Sequence, residues 1–520
     1  MQNITLSRAN QALVFQADYP LEQWPGSDPI GTLPDGRLVI RHNTHNTNLM
    51  RNAGYDVPSP MGLYYDWPGD KQPYKVQRAS AELLTANRRC YLLNQQGTGK
   101  TPTTLWAWDF LNRQGEAGKC LVVAKLSTVN FVWAREIMRT LPHRRCVVLA
   151  DIKGMPRAKR LKALEEDADI YIVNHDGVKV IHDDLLARTD IDTLVLDELA
   201  VYRNNSDRSK GMRSFAARFK HVWGLTGSPM PNQVTDVWGQ AKIVTPQRTT
   251  KYFKACRELL MNRVSQWNWV PKTDAVERAF TMMQPSARYT LDDVIELPPV
   301  YERTMDVPLS DEQKDFYDTF KKRLAILVQN KQVTAANAGA VVNKLLQISG
   351  GWVYSTAPDF VQLDAKPRLE TLRDLIEEND RKVLVFAPYR HMVAGIHEYL
   401  NSKEGLGADA AAIYDKRTGD VVLAQFQDTD RYKALVAHPG PIGHGNTLTR
   451  ANLIIWYSPI ADYDIFDQAN YRIRRISQEH KQQIIFLQAT GADRRFYGIL
   501  RRKEATQDAF LKLVEEVTQE

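Results

Sequence analysis

Along most of the chain, short runs of β-branched and aliphatic residues alternate with longer segments whose apolar positions recur at helical spacing. Cys90–Asn94, Cys120–Ala124, Cys146–Ala150, Ile170–Asn174, Thr193–Asp197 and Val222–Thr226 form a first series of such runs. Lys382–Ala387, Ala411–Tyr414, Lys433–His438, Ala451–Tyr457 and Gln483–Gln488 form a second. Strands separated by helical segments specify βαβ units and a parallel sheet, so the expected class is α/β with two parallel-sheet layers in tandem. Between the series, Asp236–Arg263 and Asp311–Ile348 read as helical insertions, with Leu297-Pro-Pro299 as a hinge. The amphipathic Asp493–Val517 reads as one or two brace helices.

The first seventy residues follow another pattern, with many turn formers, short strands at Ala12–Gln16 and Arg37–Arg41, and a helix over Thr44–Asn52. This predicts a small α+β domain over residues 1–70, followed by a first lobe over 71–298 and a second over 299–520. The Pro- and Gly-rich stretch from Asp56 to Asp70 is expected to be the linker into the first lobe. His42 and His45 read as polar residues at a helix start that Asn43 or Thr44 caps.

With 43% apolar and 25% charged residues, the 520-residue chain has a globular composition that excludes disorder. A net charge of +7 is compatible with a polyanionic partner without demonstrating one. The four cysteines have no metal-ligand spacing and form no disulfide framework, which favours a reducing compartment. No basic-plus-apolar leader is present, and no apolar run approaches the ~18 residues that span a bilayer. A cytoplasmic protein without membrane contact is expected.

The candidate chemistry begins where the first run enters Asn94-Gln-Gln-Gly-Thr-Gly-Lys-Thr101. Gly97 and Gly99 around Thr98 let successive N–H groups face a phosphate, Lys100 neutralises its oxygens, and the Thr101 hydroxyl suits Mg²⁺. The strict phosphate-loop pattern has glycine where this chain has Asn94. Downstream, Leu194-Val-Leu-Asp-Glu ends a strand with two carboxylates: Asp197 to hold the magnesium and Glu198 to orient and deprotonate water.

The order of the remaining segments resembles a superfamily 2 helicase of the SNF2 class, in a short phage- or prokaryote-type form, over about residues 73 to 510. Tyr74-Lys-Val-Gln77 is similar to the Q motif, which implies that Gln77 contacts adenine with Tyr74 in support. Ser127 and Thr128, in a segment where Lys125 replaces the usual proline, match phosphate-contacting positions. Ile172-Val-Asn-His-Asp176 resembles the next motif, placing Asn174 at the nucleic acid; His175 there is either a contact or a surface or satisfied histidine. Leu199-Ala200 replaces the usual Ala-His after the acidic pair. Thr226-Gly-Ser-Pro229 resembles the lobe-coupling element, with Thr226 and Ser228 as its hydroxyls.

In the second lobe, Val383–Tyr389 resembles the opening strand, and His438–Thr449 the Gly-rich segment that senses nucleotide through Gly443 and Gly445 and tracks a strand through Asn446 and Thr447. Gln468-Ala-Asn-Tyr-Arg-Ile-Arg-Arg-Ile-Ser-Gln478 fits the final motif, with Gln468 in coupling. Arg472 and Arg475 are expected on one helix face as transition-state guanidinium groups, with Arg474 facing backbone phosphates.

The resemblance implies two RecA-like lobes, ATP and Mg²⁺ as ligands, and a monomeric DNA-dependent ATPase that translocates on duplex, single-stranded or branched DNA, RNA being a poorer candidate. Replication, repair or recombination is the expected setting. The alternatives are a strand-separating DEAD-box-like helicase on DNA or RNA, and an ATP-inactive DNA-binding scaffold.

Overall fold

The computed structural model describes residues 4–16, 29–151, 154–231, 233–265, 269–294, 297–329, 335–354, 360–415, 419–442, 448–475 and 478–502. The chain divides into two compact units, Met1–Val294 and Ile295–Glu520.

The first unit opens with an antiparallel sheet in the order Ile4–Ser7, Ala12–Phe15, Leu38–Arg41, Pro29–Thr32. Alternation sets its inner face: Leu13, Phe15, Leu38 and Ile40 are buried with Met50, Tyr55 and Val57, while Arg41 points out. The following helix, Thr44–Asn52, is capped by Asn43, whose Oδ1 accepts the Asn46 N–H at 2.8 Å. His42 is buried between Tyr64 (Nδ1 to Oη, 2.7 Å) and the Pro58 carbonyl (Nε2 to O, 3.0 Å).

The segment expected to be a linker is packed instead. Met61, Tyr65 and Trp67 are buried in one core with Trp106 and Phe110, and Tyr65 and Trp67 meet edge to face at 5.2 Å. Proline and glycine break regular structure here, but the aromatic side chains among them have enough apolar area to anchor the chain. The anchor ends on Asp109, a fully buried carboxylate. It accepts the Tyr65 hydroxyl (2.7 Å), Arg144 Nε (2.7 Å) and Arg113 Nε (2.8 Å), with His143 Nε2 at 3.0 Å.

The main sheet of this unit has seven strands, all parallel, in the order Ser286–Ala287, Arg89–Leu92, His221–Leu225, Ile191–Asp197, Lys119–Ala124, Ile170–Asn174, Cys146–Val148. Successive residues serve opposite cores: Leu121 and Val123 lie in one cluster and Cys120, Val122 and Ala124 in the other. Both faces are covered, which is why the strands read as continuous apolar runs. The span Asp236–Arg263 is not one helical insertion: helices Val237–Val244 and Phe253–Leu260 are separated at Pro246, and Met261–Arg263 pairs antiparallel with Trp269–Pro271.

The second unit has six parallel strands in the order Val300–Asp306, Gln482–Gln488, Ala451–Trp456, Lys382–Phe386, Ala434–Ala437, Ala411–Tyr414. Helices Asp311–Gln329 and Ala335–Gly350 follow the edge strand, and Gly491–Arg502 forms the brace; the rest of the expected brace lies outside the described residues. Its buried charge centre pairs Arg368 Nη2 with Asp493 Oδ2 at 3.0 Å, and Arg368 Nη1 donates to the Tyr457 carbonyl at 3.0 Å. No described helix is long and apolar enough to cross a membrane.

Replacing Asp109 with alanine leaves the Tyr65 hydroxyl without its acceptor and removes one of the two carboxylates on the largely buried Arg144, Asp169 keeping the other at 3.0 Å. We expect a loss of about 3–5 kcal/mol from the first unit, the usual cost of breaking a buried pair from one side, read from urea denaturation. A loss below about 1 kcal/mol, the value of an exposed pair, would remove Asp109 from this role.

Candidate nucleotide site

The strand Arg89–Leu92 delivers the chain into the loop 94–99, and helix Lys100–Arg113 starts directly after it. Gly97 and Gly99 have φ of +84° and +82°, the left-handed region that glycine enters without strain. Such a loop ahead of a helix N-terminus presents N–H groups and a positive dipole end to an anion.

The loop is held from two directions by buried amides. Gln77 accepts the Tyr74 N–H at 3.0 Å and donates from Nε2 to the Thr98 carbonyl at 3.0 Å. A Cβ at Gly99 would collide with that Nε2. Gln77, the expected adenine contact, thus bonds the loop itself, and Tyr74 stands exposed at the helix start.

Asn94, in the place of the usual glycine, donates to Ser80 Oγ at 3.0 Å and accepts the Tyr289 N–H at 3.0 Å. Gln95 Oε1 accepts the Leu291 N–H at 2.8 Å. The departure from the strict motif thus ties the loop to segment 286–291, beyond the edge of the sheet.

Lys100 Nζ donates to the carbonyls of Asn94 (2.7 Å) and Gln95 (3.1 Å), folded back over the loop, and Thr101 lies in the first turn of the helix. Asp197 ends the strand Ile191–Asp197 in the same unit; its Oδ2 accepts the Trp133 indole N–H at 2.8 Å and its Oδ1 the Glu198 N–H at 3.0 Å. Burial raises the Asp197 carboxyl above its ordinary range, with Glu198 adding to the rise and Trp133 and Lys100 opposing it. Glu198 has φ of +54°, an uncommon conformation for a residue with a side chain. Trp133 was legible only as a member of the resembling segment; nothing in its spacing pointed to Asp197.

Thr226-Gly-Ser228 lies against the phosphate loop: the Thr226 N–H donates to the Leu92 carbonyl at 3.1 Å, and a Cβ at Gly227 would stand 3.0 Å from Gln96 Cγ. Thr226 Oγ1 accepts the Ser228 N–H at 3.2 Å. Leu199-Ala200, after the acidic pair, is packed into the core. Leu199 fills space over Gly224, where a Cβ would lie 2.6 Å from its Cδ2. Helix Val237–Val244 completes the connection. Gln240 Nε2 donates to the Pro229 carbonyl at 2.6 Å, and Gly239 sits tight against the backbone of Tyr202 and Arg203.

Of the four expected nucleic-acid contacts in this unit, three are turned into the protein. Thr128 is buried, its hydroxyl donating to the Lys125 carbonyl at 2.9 Å, and Asn174 is buried with its Oδ1 3.3 Å from Arg160 Nη1. His175 is buried as well, its Nδ1 2.8 Å from the Tyr202 hydroxyl. Ser127 remains partly exposed.

In the second unit, the helix carrying Gln468 is Tyr463–Asn470, so Arg472 and Arg475 do not share a helix face. The ladder stops because the carbonyls of Arg472 and Ile473 accept Leu448 N–H (3.2 Å) and Gln478 Nε2 (3.1 Å) instead. Arg472 is buried, its Nε on the Gln468 carbonyl at 2.9 Å. Arg475 is partly exposed; burial pushes its guanidinium down to about 10, and its Nε has no hydrogen-bond partner among the described residues. Arg474 lies over the Tyr471 ring at 6.0 Å. Gly443, Gly445, Asn446 and Thr447 lie outside the described residues.

Family models agree with this geometry. The SNF2-related domain matches residues 42–350, and the helicase conserved C-terminal domain residues 367–477. The chain belongs to the SNF2-related family. This SNF2 chain is 24% identical over 440 residues to putative protein p41 of Acyrthosiphon pisum secondary endosymbiont phage 1, covering 80% of this chain and 93% of that protein. It is also 24% identical over 347 residues to helicase SWR1 of Eremothecium gossypii, covering 62% of this chain but 22% of that larger protein. Among solved structures, the Sulfolobus solfataricus SWI2/SNF2 ATPase core in complex with dsDNA matches at 19% identity and a TM-score of 0.39, over 88% of this chain and 97% of that one.

Membership makes the two parallel-sheet units the RecA-like lobes of an SNF2-type helicase or translocase, a class that uses ATP. The residues present fit Mg-ATP. Gly97 and Gly99 leave a cradle that a side chain would fill, Lys100 rests on loop carbonyls that a phosphate can replace, and the Asp197 carboxylate accepts neutral N–H donors from Trp133 and the Glu198 backbone.

Two consequences are measurable. Gly99→Ala adds a side chain in a left-handed position and displaces Gln77, at a cost of roughly 1–3 kcal/mol. ATP affinity should fall about tenfold or more, with partial recovery in a Gln77→Ala background; an unchanged affinity in the single variant would remove the loop from the site.

The second concerns pH. Burial pushes His175 down to about 3 and His221 down to about 4. An unfolded imidazole titrates near 6.5, so within that interval the unfolded chain binds protons that the folded chain refuses, and stability falls as pH falls. Urea midpoints should drop between about pH 7 and about pH 5, with each histidine contributing up to about 1.4 kcal/mol per pH unit. His175→Gln should flatten the slope by close to one proton, and an unaltered slope would show that His175 protonates within the fold.

Proposed function

We propose that this SNF2 chain is a DNA-dependent ATPase that translocates on duplex or branched DNA, in replication, repair or recombination. The observation that carries the reading is the convergence in one unit of the glycine cradle, Lys100 and the buried Asp197-Glu198 pair, with Thr226-Gly-Ser228 packed directly on the loop.

In this reading the loop N–H groups and Lys100 bind the β- and γ-phosphates, and the Thr101 hydroxyl and Asp197 carboxylate are the magnesium ligands. Thr101 and Asp197 would hold a magnesium ion there, and the chemistry it would supply is neutralisation of charge on the phosphates. Glu198 orients the attacking water and takes its proton. Trp133 fixes the Asp197 rotamer through one oxygen. Arg475, a cation with an unsatisfied Nε, supplies the second unit's guanidinium, and Arg472 positions the turn that carries it. Thr226 and Ser228 report the state of the loop to helix Val237–Val244 through Pro229 and Gln240. Ser127, Lys125 and Arg474 supply sequence-independent contacts to backbone phosphates.

The test is steady-state ATP hydrolysis without nucleic acid and with single-stranded DNA, duplex DNA, a forked junction or RNA. DNA should stimulate turnover, Lys100→Ala should abolish it, and Glu198→Gln should lower it by about 10²-fold or more while sparing nucleotide binding. Hydrolysis that ignores DNA would sink the translocase reading. No hydrolysis by folded protein that still binds DNA would make the chain a scaffold.

A further inference from the structure

A cavity with a basic rim lies at the opposite end of the strand that feeds the phosphate loop. Its volume is about 450 Å³, and Arg89, Arg213, Ser214, Lys242 and Lys251 contribute to its wall, with no carboxylate among the lining residues. Arg89 opens the strand Arg89–Leu92, whereas the phosphate loop follows its last residue, so the two sites are separated by the length of the strand. Arg213 and Ser214 come from the last turn of helix Asp207–Ala216, and Lys242 from the last turn of helix Val237–Val244.

The four cations are not equivalent. Arg89 is fully engaged: Nη1 donates to the carbonyls of Ile243 (3.1 Å) and Val244 (3.2 Å), and Nη2 to that of Ala216 (3.1 Å). It thereby satisfies the carbonyl ends of both helices, whose negative dipole ends would otherwise repel an anion. Arg213, Lys242 and Lys251 have no carboxylate partner among the described residues. Arg213 lies flat over the buried Trp238 ring at 4.6 Å, which fixes its direction, yet its Nε and Nη2 are buried without a hydrogen-bond partner. Lys242 Nζ approaches the same ring at 5.9 Å. Burial, followed by Arg213 and Lys251, pushes the Lys242 ammonium below its ordinary range.

Three crowded cations, of which Arg213 has two buried nitrogens without an acceptor, are costly in isolation, and an oxyanion removes both costs at once. The cluster suits a group of charge −2 or more that accepts hydrogen bonds on several sides. The buried position of the Arg213 nitrogens requires that this group enter the cavity rather than lie across its rim. From this we infer that the cavity is a binding site for a phosphate or diphosphate group, free or carried on a small molecule, separate from the ATP site.

The experiment uses the full chain carrying Lys100→Ala, which weakens the phosphate loop as a competing site, with inorganic pyrophosphate as the probe. Pyrophosphate should raise the melting temperature of this protein by a few degrees and give a saturable isotherm by calorimetry. Arg213→Gln and Lys242→Gln should each weaken that affinity by about tenfold or more. If Arg213→Gln does not fold, Lys242→Gln alone decides, since Lys242 is only partly buried and its removal relieves like-charge crowding. Without the probe, Lys242→Gln should melt no lower than its parent. ADP binding more tightly than pyrophosphate would identify a nucleotide-borne group, and equal binding a free one. Unchanged affinity in the variants, an equal response to chloride at matched ionic strength, or complete displacement by duplex DNA would overturn the inference, the last by assigning these cations to a polymer.

Discussion

The structure of the first unit is organised around one requirement: a glycine-bent stretch of backbone ahead of a helix N-terminus must be held in a single conformation. A backbone turn at a helix N-terminus suits an anion only while its shape is kept. Gly97 and Gly99 supply the conformation, but conformation alone leaves a floppy loop. Rigidity comes from side-chain amides that take over the hydrogen bonding on the loop's outer side. Gln77 grips Thr98, Asn94 joins Ser80 to Tyr289, and Gln95 holds Leu291. The short edge strand Ser286–Ala287 owes its place to this bracing, since it pairs with the strand that feeds the loop.

Both units also bury a carboxylate at a point where chain segments distant in sequence converge. Asp109 draws in Tyr65 from the leader and Arg144 from the far side of a helix; Asp493 draws in Arg368 and the backbone of Ala489. A buried pair contributes little net stability, but it penalises any arrangement in which one partner is missing. These centres therefore act on specificity. They fix which surface of the leader meets the first sheet and how the brace helix Gly491–Arg502 meets the second.

How far the sequence can be read depends on what covers each residue. Strands such as Lys119–Ala124 and Ala451–Trp456 are covered on both faces, so their uninterrupted apolar runs give them away. Val300–Asp306 sits at a sheet edge with Tyr301, Glu302 and Arg303 exposed, and has no such run to betray it. The leader misled for a related reason. Pro and Gly near Trp67 announce irregular backbone, and irregular backbone was equated with absence of packing, although Tyr65 and Trp67 are core residues. In the site, the glycines, Lys100, Asp197 and Glu198 were visible because their chemistry demands those residue types at that spacing. The burial of Thr128, Asn174, His175 and Arg472 was not legible for one reason: local motifs do not reveal whether a polar side chain faces outward or closes its own turn.

Glu198 has a side chain in a backbone region that costs a residue other than glycine roughly 1–2 kcal/mol. That position sets two properties of the chain against each other. Glycine there would relax the backbone and remove a carboxylate crowded against Asp197. On the proposed mechanism, a laboratory screen for heat-resistant variants is thus drawn to a residue that hydrolysis needs, and it would favour a molecule with its phosphate cradle intact and its base gone. Screens on this chain need turnover as the selected trait, because selection for robustness alone runs downhill toward a nucleotide-holding protein that does no work.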